Sequence, residues 1–464
     1  MPNAPDISGV HWPRLDATQH RNNWLELARG KRAFYLERAP LFSPAAAAQD
    51  AANLSRMLWC WSAIWIPWEY TSWLEEGRSF HDAAFIGDWT GLGKIRIKGP
   101  DAFAFFHQLG TNDLSKFPVG RMKHHVQVDE QGKVAAQGVL YRLAEDEFMM
   151  TGGTSARAYY MLHRGEWRAD ATVETPDHFL FAIQGPRSLE ITERVVGQNL
   201  RHLQFNHFGE YSVDGVPVRV LRTGVTGELG YELHGPAEYG NMVWTKTVKA
   251  GRAFGMKQLG VRSQMISHVE AGIPNNEYDF YSAPTDSTGV AQRLPVGTGA
   301  PKAPIGSYKP ADRSELYRSP FELGWYKQVS LKSHDFIGRD ALRRESEAGG
   351  PARRLVGLIW NDRDVVDVFA TFFQDDIVLP MEMPRYIGLE LNHVFSRGKN
   401  VGCATSRTYS PFLHKMISLG HIDADVAKSG TNVTVLWGRP DGPQREIHAV
   451  VVSLPFKKDV RRSE

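Results

Sequence analysis

Helix and strand signals are interleaved along this chain without the regular strand–helix–strand alternation of a parallel sheet. That order constrains the fold more than any other feature and points to an α+β architecture. Residues 101–109 place apolar side chains at Ala102, Phe103, Phe105, Phe106 and Leu109 and stop at Gly110, which predicts a helix. Residues 186–196, with Pro186 in the first turn and Gly197 past the end, predict a second. Residues 236–250, closed by Gly251, predict a third. Between them, residues 94–98 (Lys-Ile-Arg-Ile-Lys) alternate charged and apolar, the pattern of a half-exposed strand. Residues 216–221 and 230–234 read as strands on either side of a turn at Thr223-Gly224-Val225-Thr226-Gly227. Residues 332–344 carry a strand-to-helix pattern. A β-rich end follows, with strands expected at 432–437 and 448–452. No repeat of fixed period is present.

Residues 283–313 differ from the rest. They hold Pro284, Pro295, Pro301, Pro304 and Pro310 together with Gly289, Gly297, Gly299 and Gly306. A loop this long inside a compact protein is functional or a linker, so a domain boundary is expected after it. At about 150 residues per domain, 464 residues are roughly three domains' worth of chain.

Charge and cysteine usage exclude several functions. The 54 Lys+Arg and 52 Asp+Glu nearly cancel to +2, so there is no broad basic field for a nucleic-acid backbone. Cys60 and Cys403 are the only cysteines, which rules out a disulfide framework and a Cys-based metal centre; a reducing cytoplasm fits best. Met1-Pro2-Asn3-Ala4-Pro5 lacks the basic-then-apolar order of a signal peptide. The most apolar stretch, residues 57–68, is too short to span a bilayer and is interrupted by Pro67, so it is expected to be buried or ligand-facing. Thirteen Trp residues serve either a large core or a pocket for a flat ligand, and composition by itself favours the core.

Standard catalytic motifs are absent. Residues 87–94 have the wrong glycine spacing for a phosphate loop and no Ser/Thr after Lys94. No dinucleotide fingerprint, nucleophile elbow or zinc-helix spacing occurs. His124 and His125 are adjacent and would face opposite sides of a strand, so no metal site is expected.

Three stretches in order change the reading. They are Asp88-Trp89-Thr90-Gly91-Leu92-Gly93-Lys94-Ile95 with Gly99-Pro100-Asp101-Ala102; Leu109-Gly110-Thr111-Asn112-Asp113-Leu114 with Gly138-Val139-Leu140-Tyr141-Arg142; and residues 222–233 with Val269-Glu270-Ala271-Gly272. Together they resemble the tetrahydrofolate-dependent aminomethyltransferase family, typified by the T-protein of glycine cleavage. Ser319-Pro320-Phe321-Glu322-Leu323-Gly324, residues 335–342, Tyr409-Ser410-Pro411 and Pro455-Phe456 continue the likeness, which spans about residues 80–460. The resemblance implies a multidomain folate-binding fold: an aromatic-rich extension at 1–79, a folate-binding region at 80–345 and a C-terminal β-barrel domain at 352–464. It also implies that Glu232 binds the amino-pyrimidine edge of the pterin, since a carboxylate accepts two parallel N–H bonds. Tyr141 and Val139 would lie beside the pterin. An exposed Glu232 and a core Tyr141 are the alternatives.

The departures from the family are informative. Where the glycine-cleavage enzyme has an Asp pair, this chain has Ala136-Gln137; its conserved arginines are Gln264 and His268 here, and its pterin-side tyrosine is His124. A cationic amine substrate would want the lost carboxylate. The aryl O-demethylase branch, which includes the vanillate, syringate and dicamba enzymes, has lost the same pair, and Gly338-Arg339-Asp340-Ala341-Leu342 and Val433-Thr434-Val435-Leu436-Trp437-Gly438 resemble it. The vanillate enzyme's catalytic Tyr corresponds to Gln264, which moves the expectation toward another methoxy-aromatic, such as a methoxybenzoate. The implied reaction takes the methyl of an aryl methyl ether to N5 of tetrahydrofolate and releases a phenol. Candidate donors to the leaving oxygen are His124, Gln264 and His268; Gln264 can only hydrogen-bond. Gln137, Val139, Tyr141 and Glu232 are the expected folate contacts, and Trp89 the expected ring wall. A benzoate carboxylate would call for Arg or His. A sulfonium or amine demethylase and a non-catalytic folate scaffold remain as alternatives, and the oligomeric state is open.

Overall fold

The computed structural model describes residues 18, 21, 41–61, 64–284, 304–383 and 388–463. Nearly all of residues 1–40, and residues 285–303 of the Pro/Gly-rich segment, lie outside the described residues. Helices and mainly antiparallel sheets are combined, as the α+β reading expects.

The five-stranded sheet runs Met122–Val128, Val134–Ala144, Glu147–Gly152, Gly93–Lys98, Asp170–Val173 in spatial order. Helix Ala102–Leu109 covers it, burying Ala102, Phe105, Phe106 and Leu109 against Ile95, Ile97, Leu140, Phe148 and Met150. Each fully buried side chain of this size is worth about 1.5–3 kcal/mol of transfer free energy, which holds the helix to the sheet. Gly110 ends that helix in extended backbone, not in a left-handed cap; a Cβ there would lie 2.1 Å from His125 Nε2. Close approach, not turn geometry, therefore requires glycine at 110.

A six-stranded sheet follows the order Phe208–Val213, Val216–Arg222, Gly230–Pro236, His178–Gln184, Phe85–Asp88, Lys257–Leu259. Only the last pair is parallel. Helices Ser188–Val196 and Gly240–Gly251 pack on it, the second entered through a 3₁₀ turn at Ala237–Tyr239. The third sheet is short and three-stranded: Leu41–Phe42, Ile64–Pro67, Leu58–Trp61.

At the C-terminal end, strands Arg353–Trp360, Lys415–Asp423, Lys399–Ser410, Asn392–Ser396, Asn432–Gly438 and Gln444–Val452 close into a barrel filled by Leu358, Trp360, Val394, Val435 and Trp437. The barrel meets helix Val261–Glu270, where Val269 packs on Ile417 and Leu419. There Ser410 Oγ donates to Glu270 Oε1 at 2.5 Å. After the barrel the chain turns back, and the amide of Val460 donates to the carbonyl of Gly227 at 2.8 Å.

Two sequence expectations are corrected. Lys94 does not sit on a solvent face: it is wholly buried, with its ammonium turned onto the carbonyls of Thr90 and Leu92. Residues 332–338 form no strand. Phe336 is instead buried against Val126 and Trp325, and only helix Arg339–Glu347 follows.

Candidate active site

Strand Gly230–Pro236 is central in its sheet and buried through Gly235, so the face that carries its even-numbered side chains is enclosed. Glu232 and His234, two residues apart, share that face. His234 Nε2 lies 3.1 Å from Glu232 Oε2, and both side chains are buried. Burial pushes the Glu232 carboxyl up to about 7, opposed by the nearby Lys94 ammonium. Burial likewise brings Lys94 down to about 7, opposed first by Asp88 and also by Asp177, Glu174 and Glu232. Lys94 Nζ donates to the carbonyls of Thr90 at 2.9 Å and Leu92 at 3.1 Å. Tyr141 completes the group. Its ring is 5.8 Å from that of His234, its hydroxyl pairs with Thr151 Oγ1 at 3.0 Å, and burial, then Glu232, raises its pKa. Among the described residues no hydrogen-bond donor reaches Glu232 Oε1. A carboxylate with one oxygen held by His234 and one left to accept fits a ligand that presents paired N–H groups.

A separate pocket lies at the C-terminal ends of the parallel strands Phe85–Asp88 and Lys257–Leu259, closed to water in this structure, so that a ligand must part its walls to enter. Asp88, Trp89, Leu259, Val261 and Gln264 line one side. Ile66 and Pro67, from strand Ile64–Pro67, and Tyr70, three residues past its end, line the other. Trp89 stacks on Phe85, with centroids 5.9 Å apart. Its ring occupies the space where a side chain at 87 would stand, since a Cβ on Gly87 would lie 1.9 Å from it. The Asp88 carboxylate is held by Ser43 Oγ, by Gln49 Nε2 at 2.7 Å and by the amide of Thr90 at 2.9 Å. Tyr70 is 2% exposed, and its hydroxyl has no hydrogen-bond partner among the described residues. Burial, then Asp88 and Glu76, raises the Tyr70 pKa well above that of a free phenol, so the hydroxyl keeps its proton.

The expected site residues thus fall into four places. Glu232 and Tyr141 come together. Trp89 and Gln264 share the pocket. Val139 packs with Met122, Tyr141 and Met149. On the same strand as Val139, Gln137 Oε1 meets His124 Nε2 at 2.9 Å, with the His124 ring edge-on to Trp325. Burial lowers the His124 pKa, opposed by that hydrogen bond. His268 lies one turn beyond Gln264 and is buried away from the pocket, 3.7 Å from Asp279 Oδ2. Neither His124 nor His268 is on the pocket wall.

Sequence reasoning missed Tyr70, Asp88, Lys94 and His234. His234 carried a usable signal, the two-residue strand period from Glu232. Tyr70 carried none beyond its aromatic surroundings.

Comparison with known proteins gives the family and the fold. Residues 48–287 match the GCVT N-terminal domain, and residues 377–458 match the glycine cleavage T-protein C-terminal barrel domain. The first match begins inside the segment expected to be an N-terminal extension. A sesamin methylene transferase of Sinomonas sp. is 31% identical over 88% of this chain and 94% of its own. A syringate O-demethylase of Sphingobium sp. is 31% identical over 85% of this chain and 91% of its own. The glycine cleavage system aminomethyltransferase T from Bartonella henselae superposes with a TM-score of 0.69 at 18% identity, over 91% of this chain and 99% of that one, which speaks to the fold. The chain belongs to the glycine cleavage T-protein family. It is an enzyme of folate-dependent one-carbon transfer, with tetrahydrofolate as the acceptor.

Proposed function

We propose that this enzyme is an aryl O-demethylase: it moves the methyl group of an aryl methyl ether to N5 of tetrahydrofolate and releases the phenol. The observation that carries the reading is the pocket walled by Trp89 and closed by Gln264, at a position where the glycine-cleavage pattern has arginine. The two 31% identical relatives named for a methylene transfer and for an O-demethylation support it. Ala136-Gln137 in place of an Asp pair argues against a cationic amine donor; Ala136 is buried, and Gln137 is spent on His124.

In this reading the carbon–oxygen bond of the ether breaks as the N5–carbon bond forms. The electron pair goes to the aryl oxygen, and the N5 proton is finally lost to the phenolate. Glu232 receives the pterin's amino-pyrimidine donors, with Tyr141, Val139 and Gln137 beside it. Trp89 stacks the substrate ring, and alignment of the two reactants removes much of the barrier. Gln264 hydrogen-bonds to the oxygen as it gains charge. His124 and His268 act as positioning residues for Gln137 and for the far end of helix Val261–Glu270. The substrates we place in the class are methoxybenzoates such as dicamba, vanillate- or syringate-type acids, and their uncharged relatives. Among the described residues no helix is long and apolar enough to cross a membrane, and a cytoplasmic location belongs to the same proposal.

A second reading has a specific support, the equal identity to the methylene transferase. Opening a methylenedioxy ring would give a catechol and 5,10-methylenetetrahydrofolate, with atoms balanced and no redox step. Anaerobic incubation with tetrahydrofolate and a panel of vanillate, syringate, dicamba, guaiacol, 1,3-benzodioxole and dimethylsulfoniopropionate, followed by mass spectrometry, separates these readings. Methylfolate with a phenol from an aromatic is expected. Product from the sulfonium alone, or bound folate with no transfer, would overturn the reading.

A further inference from the structure

We infer that the pocket selects an uncharged aryl ether over the corresponding benzoate, and that the Tyr70 hydroxyl is the hydrogen-bond donor meeting the ether oxygen. The inference rests on the aryl O-demethylase reading and narrows its substrate.

The first ground is charge. Among the described residues no Arg, Lys or His lines the pocket. The cations nearby are already engaged: Arg262 with Glu69 at 2.9 Å and the carbonyl of Met383 at 3.1 Å, and Lys94 with two backbone carbonyls. Two carboxyl groups stand around Tyr70 instead. Asp88 is on the wall. Behind it, Glu76 Oε1 accepts from the amides of Tyr70 at 2.7 Å and Thr71 at 2.9 Å, and Oε2 from Gly260 N at 2.8 Å and Ser263 Oγ at 3.0 Å. Glu76 thereby engages the N-cap amide and the Ser263 hydroxyl at the start of helix Val261–Glu270, where an incoming anion would otherwise be attracted. A benzoate carboxylate entering here meets like charge and finds no partner.

The second ground is the unpaired donor. Tyr70 is buried and lines the pocket, and its hydroxyl is left without a partner, although a buried polar group is costly unless paired. An ether oxygen is an acceptor and supplies that partner. In the transfer step the oxygen takes the electron pair of the breaking bond. The tyrosine hydrogen bond then strengthens, while its proton stays on the phenol and the N5 proton goes to the product. Gln264, on the opposite side of the pocket, is a second donor. The position that offers only an amide on the helix is thus complemented by a hydroxyl from the segment that follows strand Ile64–Pro67.

Guaiacol and vanillate differ by one carboxylate and make the test. With tetrahydrofolate-loaded enzyme, kcat/KM for guaiacol is expected to exceed that for vanillate at least tenfold, and Asp88→Asn should narrow the ratio. Tyr70→Phe should lower kcat/KM for guaiacol at least tenfold while leaving the folate Kd unchanged. It should also steepen the dependence of rate on leaving-group acidity across ring-substituted anisoles, a change that a merely structural tyrosine would not produce. Equal or better turnover of vanillate, or an unchanged leaving-group slope in folded Tyr70→Phe, overturns the inference. Binding is followed separately by tryptophan fluorescence. Guaiacol bound more tightly than vanillate without any transfer supports the pocket assignment and overturns the demethylase reading; vanillate bound more tightly overturns the pocket assignment whether or not transfer occurs.

Discussion

The strand face around Glu232 and the pocket around Tyr70 are both buried, yet they solve opposite problems. At Glu232, burial leaves a carboxyl and an ammonium near neutrality, each with its proton affinity displaced toward 7. At Tyr70, the carboxyl groups of Asp88 and Glu76 are fully occupied by protein donors, and the unspent group is a neutral hydroxyl. The first region is built to exchange hydrogen bonds with a charged acceptor in play, the second to hold something uncharged by shape and one donor. On the proposed reading the two reactants would be held by different physics: charge-assisted pairing for the pterin, stacking and neutral hydrogen bonds for the aromatic ring.

The largest effect expected from breaking this comparison is at Glu232. Glu232→Gln keeps the shape and removes the charged acceptor. A charge-assisted hydrogen bond is worth about 1.5–3 kcal/mol, so tetrahydrofolate affinity should fall roughly 10- to 100-fold. Calorimetric titration measures it, and the guaiacol Kd should hold. Next comes Gly87→Ala, which strikes the other region. Its Cβ would collide with the Trp89 ring. Overpacking of this kind costs about 1–3 kcal/mol, so the KM of the aromatic should rise roughly tenfold or more, with the folate Kd little changed. Equal loss of both ligands in either variant would show that the two regions are one site.

A smaller effect separates them by pH. The Glu232 carboxyl is raised to about 7 from the ordinary carboxylate range, so the free folded enzyme carries it half-protonated at neutrality. Ionising it costs stability as pH rises from the ordinary carboxylate range toward 7, and a ligand that needs the ionised form returns that cost. Tetrahydrofolate affinity should therefore strengthen about tenfold between pH 6 and pH 8, one pKa unit being about 1.4 kcal/mol. Titrations across that range in wild type and in Glu232→Gln check it, the variant being flat. Lys94 loses its charge over the same interval and opposes the trend, so a Lys94→Met variant should show the steeper profile.

Much of this arrangement was legible in the sequence, for reasons that differ by residue. Residues 230–234 announced a strand by alternation and followed a glycine-rich turn, so the position of Glu232 could be inferred once the resemblance gave it a role. The helix at 102–109 was legible from apolar spacing, and the C-terminal strands from runs of β-branched residues. Lys94 misled because alternation reports two faces, not which of them is solvent; both faces are buried at that end of the strand. Tyr70 was illegible because what marks it is a hydroxyl left unpaired by the fold, and no local pattern encodes the absence of a partner. Trp89 was placed on the ring wall through its motif. The two-residue offset of Gly87 that admits its ring was there to be read.

The smallest effect tests the boundary inside the pocket itself. Gln264 projects from helix Val261–Glu270, where the neighbouring His268 is buried against Asp279, whose carboxyl burial alone would raise but which His268 and nearby hydroxyls bring below its usual range. That pairing fixes the helix one turn beyond the pocket, so truncating Gln264 should not loosen it. A neutral hydrogen bond is worth about 0.5–1.5 kcal/mol, so Gln264→Ala should lower kcat on the aromatic by roughly 2- to 10-fold, with KM and folate Kd nearly unchanged. Steady-state kinetics beside Tyr70→Phe decide how the two donors divide their work. If the double variant loses no more than the larger single loss, Tyr70 and Gln264 address the same oxygen as one unit. If the losses multiply, each donor acts on its own, and the neutral pocket holds its ring from two sides.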